Sequence, residues 1–470
     1  MPCRTRCRRP MPTWADTKPI HPPILEKKTM KKYLALALTA ALSPLAAQNT
    51  AGDFVAATWP DSQGVGGGLH LVDVTKGTFT QLTGVSGDLT RARSITKDPY
   101  SVPVYYVGTT AEVVTTLGDP NIYRLVMSGG KVAQVTKLNT NSLKNDGAIL
   151  QLHVVGDEIW FLSKTRLAKM PKAGGKETTI STVTAKYPVM ATDGRWIYTN
   201  LDSTGAYASA TIYKVDPQDL KKWVTIFTAG APFPTFVTNL TVDGDGYLNV
   251  IDRGNFSGHT LSVVNPLTGT AVSQVPLNIG QFGTSHVLQD PKTKDYVALG
   301  TPPLGSTLKG IGAVVYNGGK QTKTFFGGIT GQIGGLTVQR SPHLHKFGHT
   351  CASTFKIEPR MWANSVPEPG NAAYAVTLEA PANTVGILIL GAHGALPGPI
   401  ALPNAGTCVL GVSPVLLISG AVPAAGTLSV GLPLPSSLKP GAIDVQWAIL
   451  DSAANKSGLV TTQVGSIITN

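Results

Sequence analysis

LHVVGD at 152–157, followed at once by IWFLS at 159–163, is the stretch that decides how the chain reads. An apolar run reaches a Gly-Asp turn and resumes with aromatic and β-branched residues, which is the pattern of two antiparallel strands joined tightly. The hairpin RLAKMPKAGGKETTIST at 166–182 comes next, so one unit holds four strands. The unit recurs as ARSITKD to Asp98 then VPVYYVG, VMATDG at Asp193 then WIYTN, NLTVDGDG at Asp243 then YLNVI, and HVLQD to Asp290 then DYVALG. A hairpin with Gly, Asn or Asp-Pro at its turn follows each one.

Five complete units, spaced ~45 residues apart, leave fragments at both ends. DFVAATW, LHLVDV and FTQLTG supply strands two to four of a unit without its first strand, and GGLTVQRSP at 334–342 supplies a first strand. The expected fold is therefore all-β: a six-bladed β-propeller over 50–342 whose N- and C-terminal strands meet in one blade, with seven blades as the alternative.

Composition sets the outer limits. The chain has 470 residues with 51 Gly, 34 Pro, 42% hydrophobic and 14% charged residues, which suits a turn-rich folded protein rather than a disordered one. No apolar run is long enough for a transmembrane helix. The net charge of +12 invites a nucleic-acid reading, but much of it lies at the N-terminus. Segment 1–47 combines a basic stretch, Met30-Lys31-Lys32, ten apolar residues from Tyr33 to Leu42 and Ser-Pro-Leu-Ala-Ala, the layout of a secretory signal peptide with translation starting at Met30. Its removal leaves 30 basic against 25 acidic residues, and with that the case for a nucleic-acid partner goes. Cys3 and Cys7 go too. Export makes a disulfide between the remaining Cys351 and Cys408 the expectation.

Beyond Pro342 the composition changes: 352–470 holds nine charged residues and twelve Pro, with apolar runs bounded by Pro and Gly. A small antiparallel β-sandwich is expected there, with 343–351 as a linker. The segments FGHTC at 347–351, VPEPGN at 366–371, GILILG at 386–391, Cys408 and VQWAILDSAANKSGLV at 445–460 resemble the C-terminal sandwich domain of many secreted bacterial proteins of undefined function. The repeat region resembles, in architecture alone, the six-bladed group that includes NHL-type, SMP-30-like lactonase and TolB-like proteins. The calcium-dependent lactonase of that group uses an early Glu as a metal ligand. The repeats here contain only Glu112, Glu158 and Glu177, none before the second blade, so that site is not transferred.

Chemistry-bearing residues are few. The turn residues Asp98, Asp157, Asp193, Asp243 and Asp290 read as acceptors for local backbone N–H groups. Asp243-Gly-Asp245-Gly is the one turn whose two carboxylates could converge on calcium. His343, His345 and His349 with Cys351 have zinc-ligand types but read as a polar linker. Counting four residues back from each turn Asp places Ser94, His153, Asn239 and His286 in one ring on the innermost strands, with His153 opposite His286 and with Gln151 and Tyr187 one pleat away. Such groups can orient a polar ligand, a saccharide or an extracellular protein. The expected function is a secreted, non-enzymatic binding or surface-interaction protein. The competing reading is a propeller hydrolase or lyase acting on a lactone or saccharide at the channel mouth.

Overall fold

A computed structural model describes residues 54–60, 64–99, 101, 103–111, 119–184, 188–194, 196–201, 211–216, 219–228, 236–244, 246–253, 259–266, 268–277, 286–301, 310–317, 319–338, 344–348, 350–351, 358–396 and 398–469. The leader, Tyr187, Asp245, His343 and His349 lie outside them. Among the described residues the chain is all-β apart from two short 3-10 turns, and no helix is long and apolar enough to cross a membrane.

Six four-stranded antiparallel sheets follow one another. The second shows the plan: Ala92–Lys97, Val104–Thr109, Ile122–Ser128 and Lys131–Lys137, in that order. Its last hairpin turns at Gly129 and Gly130, whose φ values of 56° and 77° match the positive-φ pair that a two-residue turn needs. The leading strands of the next four sheets are Ile149–Val155, Met190–Thr192, Phe236–Val242 and His286–Gln289. In the first sheet the leading strand comes from far along the chain: Gln332–Val338 pairs antiparallel with Phe54–Trp59, which pairs with Gly68–Asp73 and then Thr78–Gln81.

Burial follows position in each sheet. Val104–Thr109 is buried throughout because both of its faces meet neighbouring sheets, whereas the outer strand Lys131–Lys137 is almost wholly exposed. Every consecutive pair of sheets shares a core. Tyr106 and Ile122 of the second meet Leu152 and Phe161 of the third, each such side chain contributing ~1.5–3 kcal/mol on burial. The sixth sheet shares its outer face with the first through Val297, Leu299 and Ala313 against Phe54, Ala56 and Val72. Each leading strand touches the next one, and His286–Gln289 touches Gln332–Val338.

Four leading strands carry a one-residue bulge at the same place, opposite Ala57/Thr58, and at Ala92/Ser94, Ile149/Gln151 and Val237/Asn239. The extra residues are Gly334, Arg93, Leu150 and Thr238. A bulge re-aims the side chain it carries.

The C-terminal residues form a five-stranded sheet, ordered His345–Phe347, Leu459–Thr469, Gly441–Leu450, Val385–Ala392 and Leu416–Ala421, and a three-stranded sheet of Arg360–Ala363, Ala375–Glu379 and Thr427–Gly431. Both bury residues in one core around Trp447, Leu388, Tyr374 and Leu378. Gly386 makes room for the indole, since a Cβ there would lie 3.2 Å from Trp447 and 2.8 Å from Leu378. Cys351 and Cys408 are joined as a disulfide. The expected linker 343–351 is partly built into this unit: His345–Phe347 is an edge strand paired with residues 464–466. Three residues pairing with a strand more than a hundred positions away leave no local hairpin signal, which is why they read as linker.

This unit sits on the turn end of the leading strands. Phe347 packs against the core that the third and fourth sheets share, the Trp196 indole donates to Glu358 Oε2 at 2.8 Å, and Lys292 pairs with Glu368 at 3.0 Å. Gly194, with φ +85°, lies so close beneath Lys346 that a Cβ would come within 1.7 Å of its carbonyl oxygen.

Candidate functional site

The leading strands form a row of strand edges whose backbone groups need partners that the sheets themselves do not supply. Side chains from the neighbouring sheet provide them. Ser94 Oγ donates to Ile149 O at 2.9 Å, Gln151 Oε1 accepts from Met190 N, and His153 Nε2 lies 3.2 Å from Met190 O. Thr241 Oγ1 donates to Val287 O at 3.2 Å, and Lys97 N donates to Thr337 Oγ1 at 3.1 Å. Asn239 Nδ2 and His286 Nδ1 sit 3.0 Å apart on the fifth and sixth sheets. The residues expected to line a ring for a ligand therefore fasten one sheet to the next.

Register refines that ring. Ser94, Gln151, Asn239 and Gly335 each follow the bulge directly, so Gln151 rather than His153 shares their level. Counting back from the turn misplaces His153 because Asp157 is the second residue of a two-residue turn between Val155 and Glu158, whereas Asp98 opens a longer one. Burial holds the His153 pKa down at about 4; burial and then the Arg93 charge hold that of His286 at about 3. Both imidazoles are neutral at ordinary pH.

The turn carboxylates have local work. Asp193 Oδ1 accepts from Trp196 N at 2.8 Å and its Oδ2 from the Tyr198 hydroxyl at 2.8 Å. Asp290 Oδ1 accepts from Lys292 N at 2.7 Å. Asp243 accepts from Tyr247 N at 2.8 Å and from the Tyr296 hydroxyl at 3.4 Å, so this half of the suggested calcium pair is bonded within its turn and to the next sheet. Among the described residues no three His, Cys, Asp or Glu side chains group to hold a metal.

Arg93 was not anticipated from the sequence. The bulge turns its side chain over the Trp59 ring, with the guanidinium carbon 4.5 Å from the ring centroid and Nη1 3.4 Å from Ile333 O. No carboxylate pairs with it among the described residues. Arg91, two positions earlier and 1% exposed, is by contrast fully engaged with Asp88 at 2.5 Å and Thr110 O at 2.5 Å. Burial lowers the Arg93 pKa to about 10, so the charge persists at neutral pH, and it helps depress the pKa of Lys164. Only a second arginine two residues from a paired one hints at this in the sequence.

Asp252 is the other unusual group. It is 8% exposed, and no hydrogen bond or ion pair reaches its carboxylate among the described residues; burial raises its pKa to about 6. Its strand neighbour Ile251 packs toward the sixth sheet and Val250 toward the fourth, which puts Asp252 on the face away from Asn239 and His286.

No protein-family model matches the chain, and no curated protein matches it significantly. Among solved structures, a chain of a nidogen–laminin complex is 15% identical, covering 62% of this chain and 98% of its own, with a TM-score of 0.45. YCF48 bound to D1 peptide is 11% identical over 63% and 96%, TM-score 0.35, and the Neurospora crassa Pan2 WD40 domain is 10% identical over 90% and 98%, TM-score 0.31. These neighbours are β-propellers.

Proposed function

We propose that this is an exported, non-enzymatic binding protein. The six sheets act as blades of a six-bladed β-propeller, closed where Gln332–Val338 joins Phe54–Trp59, and residues 352–470 with the His345–Phe347 strand form a sandwich that serves as an accessory module. A ligand or partner, whether a saccharide or an extracellular protein, approaches the starts of the leading strands, because the sandwich occupies the turn end. The observation that carries this reading is the contrast between those ends: carboxylates and a docked unit at one, Arg93 without an acid partner at the other.

The hydrolase or lyase alternative needs an acid and a base converging on one bond. Asp252 and His286, the groups with the most displaced pKa values on the fifth and sixth sheets, do not share a face. The test is thermal melting of the mature protein with a panel of neutral and acidic sugars, alongside proton NMR of an aldonolactone. A melting shift with no turnover supports binding; lactone opening faster than in buffer sinks the proposal. Export is tested by N-terminal sequencing, which should begin near Gln48, whereas a product retaining Cys3 contradicts it.

A further inference from the structure

We infer that the cleft between the fourth and fifth sheets and the C-terminal unit binds a free inorganic oxyanion, phosphate or sulfate, through Lys346, Arg360 and Lys214, and that the ion clamps the unit onto the turn end. The site is separate from the open end, so its failure leaves the binding role proposed there untouched.

The cleft is one continuous cavity. Trp196 and Lys214 line it from the fourth sheet, Gly246 from the fifth, and Lys346, Glu358 and Arg360 from the C-terminal unit. It offers about 40 Å³ to water-sized molecules. One water needs ~10–15 Å³ by that measure, so there is room for about three, the bulk of a tetrahedral oxyanion and too little for a sugar ring.

Charge selects the sign of the ligand. Among the described residues that line the cleft, the cations Lys214, Lys346 and Arg360 face two carboxylates, Asp193 and Glu358. Both acids are already engaged. Asp193 accepts from Trp196 N and from the Tyr198 hydroxyl, while Glu358 Oε2 takes the Trp196 indole at 2.8 Å with Lys214 Nζ 3.7 Å away. Lys214 is held at the same place from its other side, its Nζ 3.9 Å from the Trp196 ring centroid.

Geometry brings the other two cations together. A Cβ on Gly246 would stand 3.3 Å from Lys346 Nζ and 3.5 Å from Arg360 Nη2, so the two nitrogens bracket one spot that the glycine leaves open. Arg360 turns Nη1 to Glu379, 3.4 Å away, and its guanidinium carbon lies 5.7 Å from the centroids of both Tyr247 and Trp362. These contacts fix the fork with Nη2 toward Gly246. An oxyanion between the two nitrogens accepts charge-assisted hydrogen bonds from each. Lys346 and Arg360 belong to the C-terminal unit and Lys214 and Gly246 to the sheets, so an ion here joins the two.

The test is calorimetric titration of the mature full-length protein with sodium phosphate, sodium sulfate and glucose 6-phosphate, at constant ionic strength in chloride. Saturable binding of phosphate or sulfate, weakened at least about tenfold in Lys346→Met and unchanged in Lys131→Met on the exposed outer strand of the second sheet, supports the site. Arg360→Met should weaken binding likewise; Lys346→Met, which keeps the aliphatic stem, stays decisive if Arg360→Met does not fold. Binding that Lys346→Met leaves unchanged, or that Lys131→Met weakens as much, overturns the site, and so does the absence of saturable binding. Glucose 6-phosphate binding as tightly as phosphate overturns the free-ion assignment in favour of a phosphorylated ligand. Saturating phosphate should also slow hydrogen exchange at His345–Phe347, because a ligand stabilises what it bridges. Unchanged exchange there overturns the clamp.

Discussion

The two ends of the leading strands are built on opposite electrostatic terms. At the turn end, carboxylates accept backbone N–H groups and tyrosine hydroxyls, and the C-terminal unit adds Glu358 against Trp196 and Glu368 against Lys292. At the other end Arg93 has no acid partner among the described residues and Asp252 no base. A charge taken out of water without an ion-pair partner costs stability, so a fold that keeps a buried Asp252 and a half-buried Arg93 at one end has not been optimised there for stability alone.

The largest perturbation would erase the comparison altogether. Deleting Gln332–Val338 removes the strand that spans both ends in the first sheet, uncovering the Phe54–Trp59 edge and the cores on either side. Loss of the cooperative thermal transition of all six sheets is expected, because the exposed surface is large against a total of ~5–15 kcal/mol. An unchanged transition would reduce the segment to a tail.

At the turn end, replacing Cys351 and Cys408 by serine should lower the stability of the C-terminal unit by about 4 kcal/mol on the chain-entropy view, read by denaturant unfolding with and without the bridge. Equal midpoints would show that the fold holds this loop closed unaided.

At the open end, Asp252→Asn should stabilise the protein at neutral pH. The carboxyl pKa stands at about 6 against 3.8, so above pH 6 the charged form carries a penalty of roughly 3 kcal/mol that fades as pH falls and is gone below about 4. The gain from the substitution should shrink over the same window. A constant gain, or none, would mean that the carboxylate is solvated.

The smallest effect concerns docking. Gly194→Ala puts a Cβ against the Lys346 carbonyl at a positive φ, which should cost ~1–3 kcal/mol and raise hydrogen exchange at His345–Phe347 while leaving the other sheets protected. Unchanged exchange would show the contact to be incidental.

The repeats were legible because each turn carries its own chemistry: Asp98, Asp193, Asp243 and Asp290 mark where leading strands end, and their local bonds follow from that position. The pairing of 334–338 with 54–59 was legible from the missing strand at one end and the surplus strand at the other. The open-end site was not. A bulge at Arg93 or Gly334 is one extra residue against a distant partner and leaves no periodic trace, and unequal turns shift any count made from the turn, as they did for His153. The ring residues were found as polar positions, but whether a hydroxyl such as that of Ser94 meets water or the Ile149 carbonyl depends on the neighbouring sheet.

The pairing of Phe54–Trp59 with Gln332–Val338 also governs the order of events in folding. Hairpins within each sheet close over short loops, whereas this contact must wait for nearly the whole repeat region to emerge, and contacts of such sequence separation slow the approach to the native state. Until then Phe54–Trp59 offers a bare, apolar edge to any other strand nearby. Residues 54–59 therefore spend that interval most open to mispairing.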